Sequence, residues 1–347
     1  VSFKDEKTNY HGFFFRIMGK HEREKVEVAE RDVCARINGD KGNPDQDLAD
    51  EGEALAERLT QDFDIKRCEH VGNEYGEALG DLVLYTGGDK KYVEVKFLSR
   101  GSGTRANMSQ DSLTNYGLFK SDPLPWSEFR EESGFNKWRR ERLNEFDYPE
   151  EVESISGDKT RLYKKAKHLK NILGVGRSPT MDVVNEVLAG NASPKEKRAA
   201  KIVKGVYERA NEGKTEYIDY LMNFEQNENA VKKLTLLILC GAHSGTGIED
   251  RWSLTLGEII DTVNEGYHVY YVYKGSCSVK QEDLHEELRH IADSDVRLTS
   301  KEGQNNVFVS LNDGKRREVL RMTYHWKNKF QGIQTPCINV FDGGFLN

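Results

Sequence analysis

The stretch Asp81-Leu-Val-Leu-Tyr-Thr-Gly-Gly-Asp-Lys-Lys-Tyr-Val-Glu94-Val-Lys96 reads as two strands joined across Gly87-Gly88, the second carrying two charges within an otherwise apolar run. Side chains alternate across a strand with period two, so Tyr92, Glu94 and Lys96 share one face while Val93, Val95 and Phe97 share the other. A solvated edge strand shows the same alternation. Asp81 separates the two readings, because antiparallel pairing through a tight turn brings its carboxylate near Glu94. Like charges held together repel unless a cation sits between them. Two hard oxygen ligands with open positions suit Mg²⁺, which keeps several waters and binds through one or two carboxylates plus a substrate phosphate, with Mn²⁺ as the expected substitute. Lys96, on the same face, is then positioned to hold an attacking water.

Working outward, Asp50-Glu-Gly-Glu53-Ala-Leu-Ala-Glu-Arg-Leu59 reads as a helix, with Leu48, Leu55, Leu59 and Phe63 near one face. Strands are expected at 65–71, 81–85 and 92–98. This order, with Asp81 as first acid and Glu94-Val95-Lys96 as the tripeptide, resembles the PD-(D/E)XK nuclease superfamily, although Gly80 stands where many members have proline. The resemblance implies an α/β fold with a restriction-endonuclease-like core of a helix plus a central mixed β-sheet, a helical middle region, and a C-terminal part containing a β-hairpin. It implies metal ligation by Asp81, Glu94 and the Val95 carbonyl, with Lys96 orienting water. The accessory glutamate that many members carry on the preceding helix is assigned to Glu53 rather than Glu57, since Leu55, Ala56 and Leu59 follow it in the family's order. The implied activity is that of a Mg²⁺-dependent, sequence-specific endonuclease of double-stranded DNA, similar to type II restriction enzymes. Its products would carry 5′-phosphate and 3′-hydroxyl ends, and by analogy it would act as a homodimer. Alternatives are a repair, resolvase or modification-dependent nuclease on the same core, or a non-catalytic nucleic-acid-binding module.

A length of 347 residues allows about two domains, at roughly 150 each. Mean hydropathy is −0.73, yet Leu, Val, Ile, Phe and Tyr suffice for a sizeable core, and no apolar run is long enough to cross a membrane. Five scattered cysteines without a C-x-x-C pair argue against a disulfide framework and a zinc ribbon. No signal-peptide pattern is seen, so a cytoplasmic location is expected.

A net charge of −7 looks unsuited to DNA, but the charges are segregated. Acids dominate residues 40–64. Residues 159–177 hold Lys164, Lys165 and Lys167 among seven cations and no acid, around Leu162, Ala166, Leu169 and Leu173 at helical spacing. A second cluster, with Arg316, Arg317, Lys327 and Lys329, is interleaved with Tyr324, Trp326 and Phe330, which suits phosphate contact plus stacking. An ordinary solvated face is the alternative for both. Residues 1–120 are thus expected to form the catalytic core, 121–265 a mainly helical recognition region, and 266–347 an α+β region with a hairpin turning at Asp313-Gly314.

Helix starts are marked at Ser178-Pro179 and Ser193-Pro194. Gly101-Ser-Gly103-Thr-Arg105-Ala106 mimics a dinucleotide-binding turn, but the preceding strand bears Glu94, Lys96 and Arg100 and no second βαβ unit follows, so no nucleotide cofactor is expected. The preferred reading is a loop leading to a helix capped at Ser109, with Arg100, Arg105 and Asn107 facing phosphate or a base edge. His285 and His290 are five apart, not the four of a zinc helix. The glycine-rich segment 241–247 follows the apolar run 234–240 and lacks the P-loop lysine, so nucleotide hydrolysis is not expected; a loop inserted in a groove is the lesser alternative to a plain connection.

Overall fold

The computed structural model describes residues 12–71, 79–98, 106–174, 181–241, 251–282, 284–312, 317–326 and 336–343. Along the chain run α1 (Gly12–Ile37), α2 (Ala49–Asp62), β1 (Arg67–His70), β2 (Leu82–Tyr85), β3 (Lys90–Leu98), β4 (Ala106–Ser109) and α3 (Ser112–Asn115). A helical stretch follows: α4 (Trp126–Glu132), α5 (Phe135–Asn144), α6 (Glu150–Glu153), α7 (Asp158–Ile172), α8 (Met181–Ala189), α9 (Pro194–Met222) and α10 (Glu228–Leu239). Then come α11 (Leu256–Gly266), β5 (Tyr267–Tyr273), β6 (Ser278–Glu282), α12 (His285–Asp293), β7 (Val296–Ser300), β8 (Asn306–Leu311), β9 (Glu318–Trp326) and β10 (Pro336–Asp342). No helix among the described residues is long and apolar enough to cross a membrane.

The fold is mixed α/β with two five-stranded sheets, and two compact units interleave along the sequence. One comprises residues 1–103, 236–242 and 246–293; the other comprises 104–235, 243–245 and 294–347. Boundaries read at 120 and 265 follow the sequence where it turns from β to α and back. The units instead follow strand pairing: β5, beyond the helical stretch, pairs in parallel with β3 and belongs with it.

In the first unit the sheet runs β1-β2-β3-β5-β6, antiparallel except for β3 and β5. Parallel neighbours cannot be joined by a tight turn, and here the crossover takes in everything between Leu98 and Tyr267. Val93 and Val95 turn their shared face into a core with Leu55 and Leu59 of α2, Val33 of α1, and Tyr270 and Val272 of β5. Truncating a wholly buried leucine such as Leu59 to alanine costs about 2–5 kcal/mol, so the α2 stripe is a principal anchor for the sheet. Cys34 of α1 and Cys68 of β1 meet in this core as a disulfide, Cα atoms 5.1 Å apart, against the expectation drawn from cysteine spacing. Spacing identifies local metal knuckles and dense frameworks; it is blind to one pair brought together by a helix packing on a strand.

The second unit's sheet, β4-β10-β9-β8-β7, is antiparallel throughout, with a register shift at Val309/Ser310. The apolar stripe of α7 packs as its spacing requires: Leu162, Ala166, Leu169 and the following Leu173 are buried with Val184 and, from α9, Ala199, Ile202, Val203 and Val206. α9 starts where the sequence marks it. Ser193 Oγ accepts from Glu196 N at 3.3 Å and Glu196 Oε2 accepts from Ser193 N at 2.7 Å, a reciprocal cap whose loss costs about 1 kcal/mol. Ser109 is no cap. It ends β4 opposite Cys337, its backbone committed to the ladder, and the following short helix starts after Asp111.

Candidate active site

Asp81 is fixed by its backbone on both sides. Its N–H donates to Val93 O at 2.8 Å and its carbonyl accepts from Val71 N at 2.9 Å. Gly80 before it sits at φ +101°, with Val93 O only 3.1 Å from where a Cβ would stand. Proline, locked near −65°, could not adopt that angle, which accounts physically for glycine at this position.

The β2–β3 ladder ends at Leu82 and Val93, and beyond it, among the described residues, β3 has an open edge toward Asp81. Val95 N donates across that edge to Asp81 Oδ2 at 2.8 Å. A strand residue's N–H and C=O point the same way, so the Val95 carbonyl faces the same edge. Glu94, with no solvent exposure, and Asp81, 8 % exposed, are bridged by Arg251. Its Nη1 lies 3.1 Å from Glu94 Oε2 and 3.3 Å from Oε1, and its Nη2 lies 3.5 Å from Asp81 Oδ1. Lys96 Nζ donates to Glu94 Oε1, and Tyr267 Oη, at the start of β5, donates to Glu94 Oε2 at 3.2 Å. Tyr267 Oη also lies 2.5 Å from the Cys240 carbonyl.

Burial sets the charge states. It pushes the Asp81 carboxyl up to about 6, aided by repulsion from Glu94 and opposed by Lys96, Arg251 and the Val95 N–H. At Glu94 burial is again the largest single influence and acts upward, but Arg251 and Lys96 together bring the group down to about 2. A proton entering the pair therefore goes to Asp81. Arg251 keeps its charge: burial works against the cation, and Glu94 and Asp81 outweigh it.

Asp81, Glu94 and Lys96, singled out from the sequence, thus form one hydrogen-bonded cluster. Glu53 is not part of it. Its side chain is over half exposed and accepts from Arg36 Nη1 at 2.8 Å. The helix acid whose charge couples to Asp81, Glu94 and Lys96 is Glu30 of α1, 4 % exposed, with His70 Nε2 3.0 Å from its Oε2. Burial first, then Asp81, holds the Glu30 carboxyl well above its ordinary value. The signal in the sequence was an acid lodged beside the apolar stripe of Ala29 and Val33, both wholly buried. Arg251 and Tyr267 had no comparable signal, both being distant in sequence; Tyr267 is placed by the β3–β5 pairing, and Arg251 lies ahead of α11. Gly241, from the glycine-rich segment, does lie against the site. At φ +95° its Cβ position would be 2.5 Å from Glu94 Cγ and 2.9 Å from Lys96 Cε.

Among the described residues, no group of three or more His, Cys, Asp or Glu side chains has the geometry of a metal centre. The donors nevertheless fit a hard cation in kind. Asp81 and Glu94 are two carboxylates that already require positive charge between them, and Arg251 supplies it; the Val95 carbonyl faces the same edge.

Of the expected DNA contacts, Arg100, Arg105, Arg316, Lys327 and Lys329 lie outside the described residues, as do Asp313-Gly314 and Ser178-Pro179. Asn107 lies in β4 opposite Asn339, and Arg317 is exposed just before β9. Lys164 and Lys167 are exposed on α7. Lys165 is instead 4 % exposed and engaged by Glu153 and Asn144 Oδ1, each at 2.8 Å, because its turn of α7 faces the packed side. No protein-family model matches the chain, and no curated protein matches it.

Proposed function

We propose that the chain is a Mg²⁺-dependent endonuclease of double-stranded DNA, with a PD-(D/E)XK-type site on a restriction-endonuclease-like core in its first unit. The observation that carries this reading is the convergence of Asp81, Glu94 and Lys96 at the open end of the β2–β3 hairpin, with Glu94 wholly buried. Burying two carboxylates and the Arg251 guanidinium, with Lys96 partly exposed beside them, is costly in desolvation, and a packed apolar cluster would stabilise the fold as well or better. Strongly perturbed, mutually paired groups at a strand edge are a mark of chemistry.

In this reading Asp81, Glu94 and the Val95 carbonyl hold the ion, with Glu30 in the accessory position given to Glu53 from sequence. Mg²⁺, when bound, supplies charge neutralisation at the scissile phosphate and its leaving oxygen. Lys96 holds and orients the attacking water, and the apolar face of β3 keeps that geometry rigid. Arg251 maintains the acid pair before loading. Sequence-specific cutting, 5′-phosphate ends and action as a homodimer follow from the family likeness and are part of the proposal.

The test is incubation of plasmid and genomic DNA, methylated and unmethylated, with the purified chain and Mg²⁺, Mn²⁺, Ca²⁺ or chelator, with the cut ends mapped. Discrete fragments are expected with Mg²⁺ and Mn²⁺. Water activation and transition-state stabilisation are each worth about 10²–10⁴ in rate, so Asp81→Ala, Glu94→Ala and Lys96→Ala should each lose at least that much while retaining DNA binding. A Lys96→Ala protein cutting within about threefold of wild type, against that expected loss, would remove the assignment.

A further inference from the structure

The second unit contains a cavity of ≈ 670 Å³ between α9 and the β8–β9 strands, separate from the acid cluster. That volume suits a ligand of small-molecule size. Tyr207, Asn211 and Lys214 of α9 line it together with Gln304, Asn306 and Thr323. Lys214 is 6 % exposed, and its Nζ donates to Tyr324 O at 3.4 Å, a long contact for a buried ammonium. Burial brings the Lys214 amine down to about 8, so it remains mostly cationic at neutral pH. Two acids, Glu208 and Glu212, also line the cavity, but each is engaged along the helix, by Lys204 at 3.7 Å and Arg209 at 3.8 Å. Asn306 Oδ1 accepts from Thr323 Oγ1 at 2.5 Å, which fixes the amide with its oxygen occupied.

A buried cation beside three amides, that of Asn306 fixed by Thr323, and a tyrosine ring meets the three parts of a nucleotide. The cation suits a phosphate, Asn and Gln amides suit the hydrogen-bonding edge of a base, and an aromatic face suits its plane. We propose that this cavity binds a nucleotide unit, its phosphate at Lys214 and its base edge at the amides of Asn211, Gln304 and Asn306. As a unit within a DNA strand, it gives the nuclease reading its place of base recognition, and in that form the inference rests on that reading. As a free mononucleotide it does not.

Two probes distinguish these sources: calorimetric titration with each of the four deoxynucleoside 5′-monophosphates, and anisotropy of labelled duplexes across a salt series with Ca²⁺ present. Wild type is compared with Lys214→Met, which suits a buried position, and Asn211→Leu, each checked for folding by circular dichroism. Lys214→Met should weaken whichever probe binds by at least about tenfold and, for DNA, reduce the salt slope by about 0.9. Asn211→Leu should change the preference among bases or duplex sequences. Folded variants that bind both probes as wild type does, or a wild type that binds neither, overturn the proposal. If wild type cuts DNA and Lys214→Met binds and cuts identically, the nuclease reading stands and this one falls. If mononucleotides bind through Lys214 and DNA is neither bound nor cut, the cavity assignment stands and the nuclease reading falls.

Discussion

Replacing Arg251 with methionine keeps much of the aliphatic stem and removes the guanidinium that contacts Glu94 at 3.1 and 3.3 Å and Asp81 at 3.5 Å. Removing one partner from a buried ion pair costs about 3–5 kcal/mol, because the charge left behind has neither water nor a counter-ion. Here two carboxylates are left with Lys96 as the cation described against them, beside the neutral donors Tyr267 Oη and Val95 N–H. One escape exists: Arg251 opposes the upward push on Asp81, already at about 6, so without it Asp81 takes up a proton at still higher pH. The folded variant then binds more protons than its unfolded chain between the ordinary carboxyl value and that higher pKa. Its stability therefore falls as pH rises through this window, and its deficit against wild type is smaller near about pH 5 than near about pH 8. Urea unfolding of the metal-free proteins, followed by circular dichroism at both pH values, measures this. Under the proposed reading Mg²⁺ would supply the missing charge and should stabilise the variant more than wild type; an ion at a hundredfold excess over its Kd contributes about 2.7 kcal/mol. Equal midpoints without metal, or equal gains on adding it, would refute the idea that Arg251 holds the acid pair together.

Three further outcomes are expected. Glu30→Gln should lower Mg²⁺-dependent cleavage by at least about tenfold while Glu53→Gln leaves it near wild type, and steady-state rates on one duplex would decide between the two helices. Gly241→Ala should lose stability and activity together, since its methyl would stand 2.5 Å from Glu94 Cγ on a backbone at φ +95°; a fully active, equally stable variant would contradict that packing. Lys214, brought down to about 8, binds fewer protons when folded than unfolded between there and its ordinary value. Wild type should therefore gain up to about 3 kcal/mol as pH rises through that window, a rise absent from Lys214→Met in paired denaturant titrations.

What could be read in the sequence was whatever has a short period. Alternation along β3 and the pair Asp81 and Glu94 are local patterns, as is the Ser193-Pro194 start of α9, and each appears in the structure where the pattern puts it. The choice between Glu53 and Glu30 needed the rotation of two helices over a sheet. Both acids sit on helices with apolar stripes, and only packing shows that α2 turns Glu53 toward Arg36. Its neighbours' exposure makes Lys165 read as a surface cation, although it lies one residue from the buried Ala166 on the packed side. Arg251 and Tyr267 reach Glu94 from more than 150 residues away, 157 and 173 positions along the chain, beyond any periodic signal. The parallel β3–β5 pairing that delivers Tyr267 leaves no turn residues to announce it.

That pairing also sets an order of events during synthesis. At about 5–20 residues per second, the ribosome needs on the order of ten to thirty seconds after Leu98 before Tyr267 is made. Until then β3 lacks its parallel neighbour, Glu94 lacks Tyr267, and the apolar edge of the half-built sheet is exposed to other chains. The second unit's helices are synthesised within this interval, and their packing on one another, as of α7 on α9, is available before β5 exists. The acid cluster is therefore assembled late, by a strand that must find its partner after an entire helical region has been made. Conditions that slow this closure should produce aggregates that expose β3, rather than a soluble chain with a half-formed site.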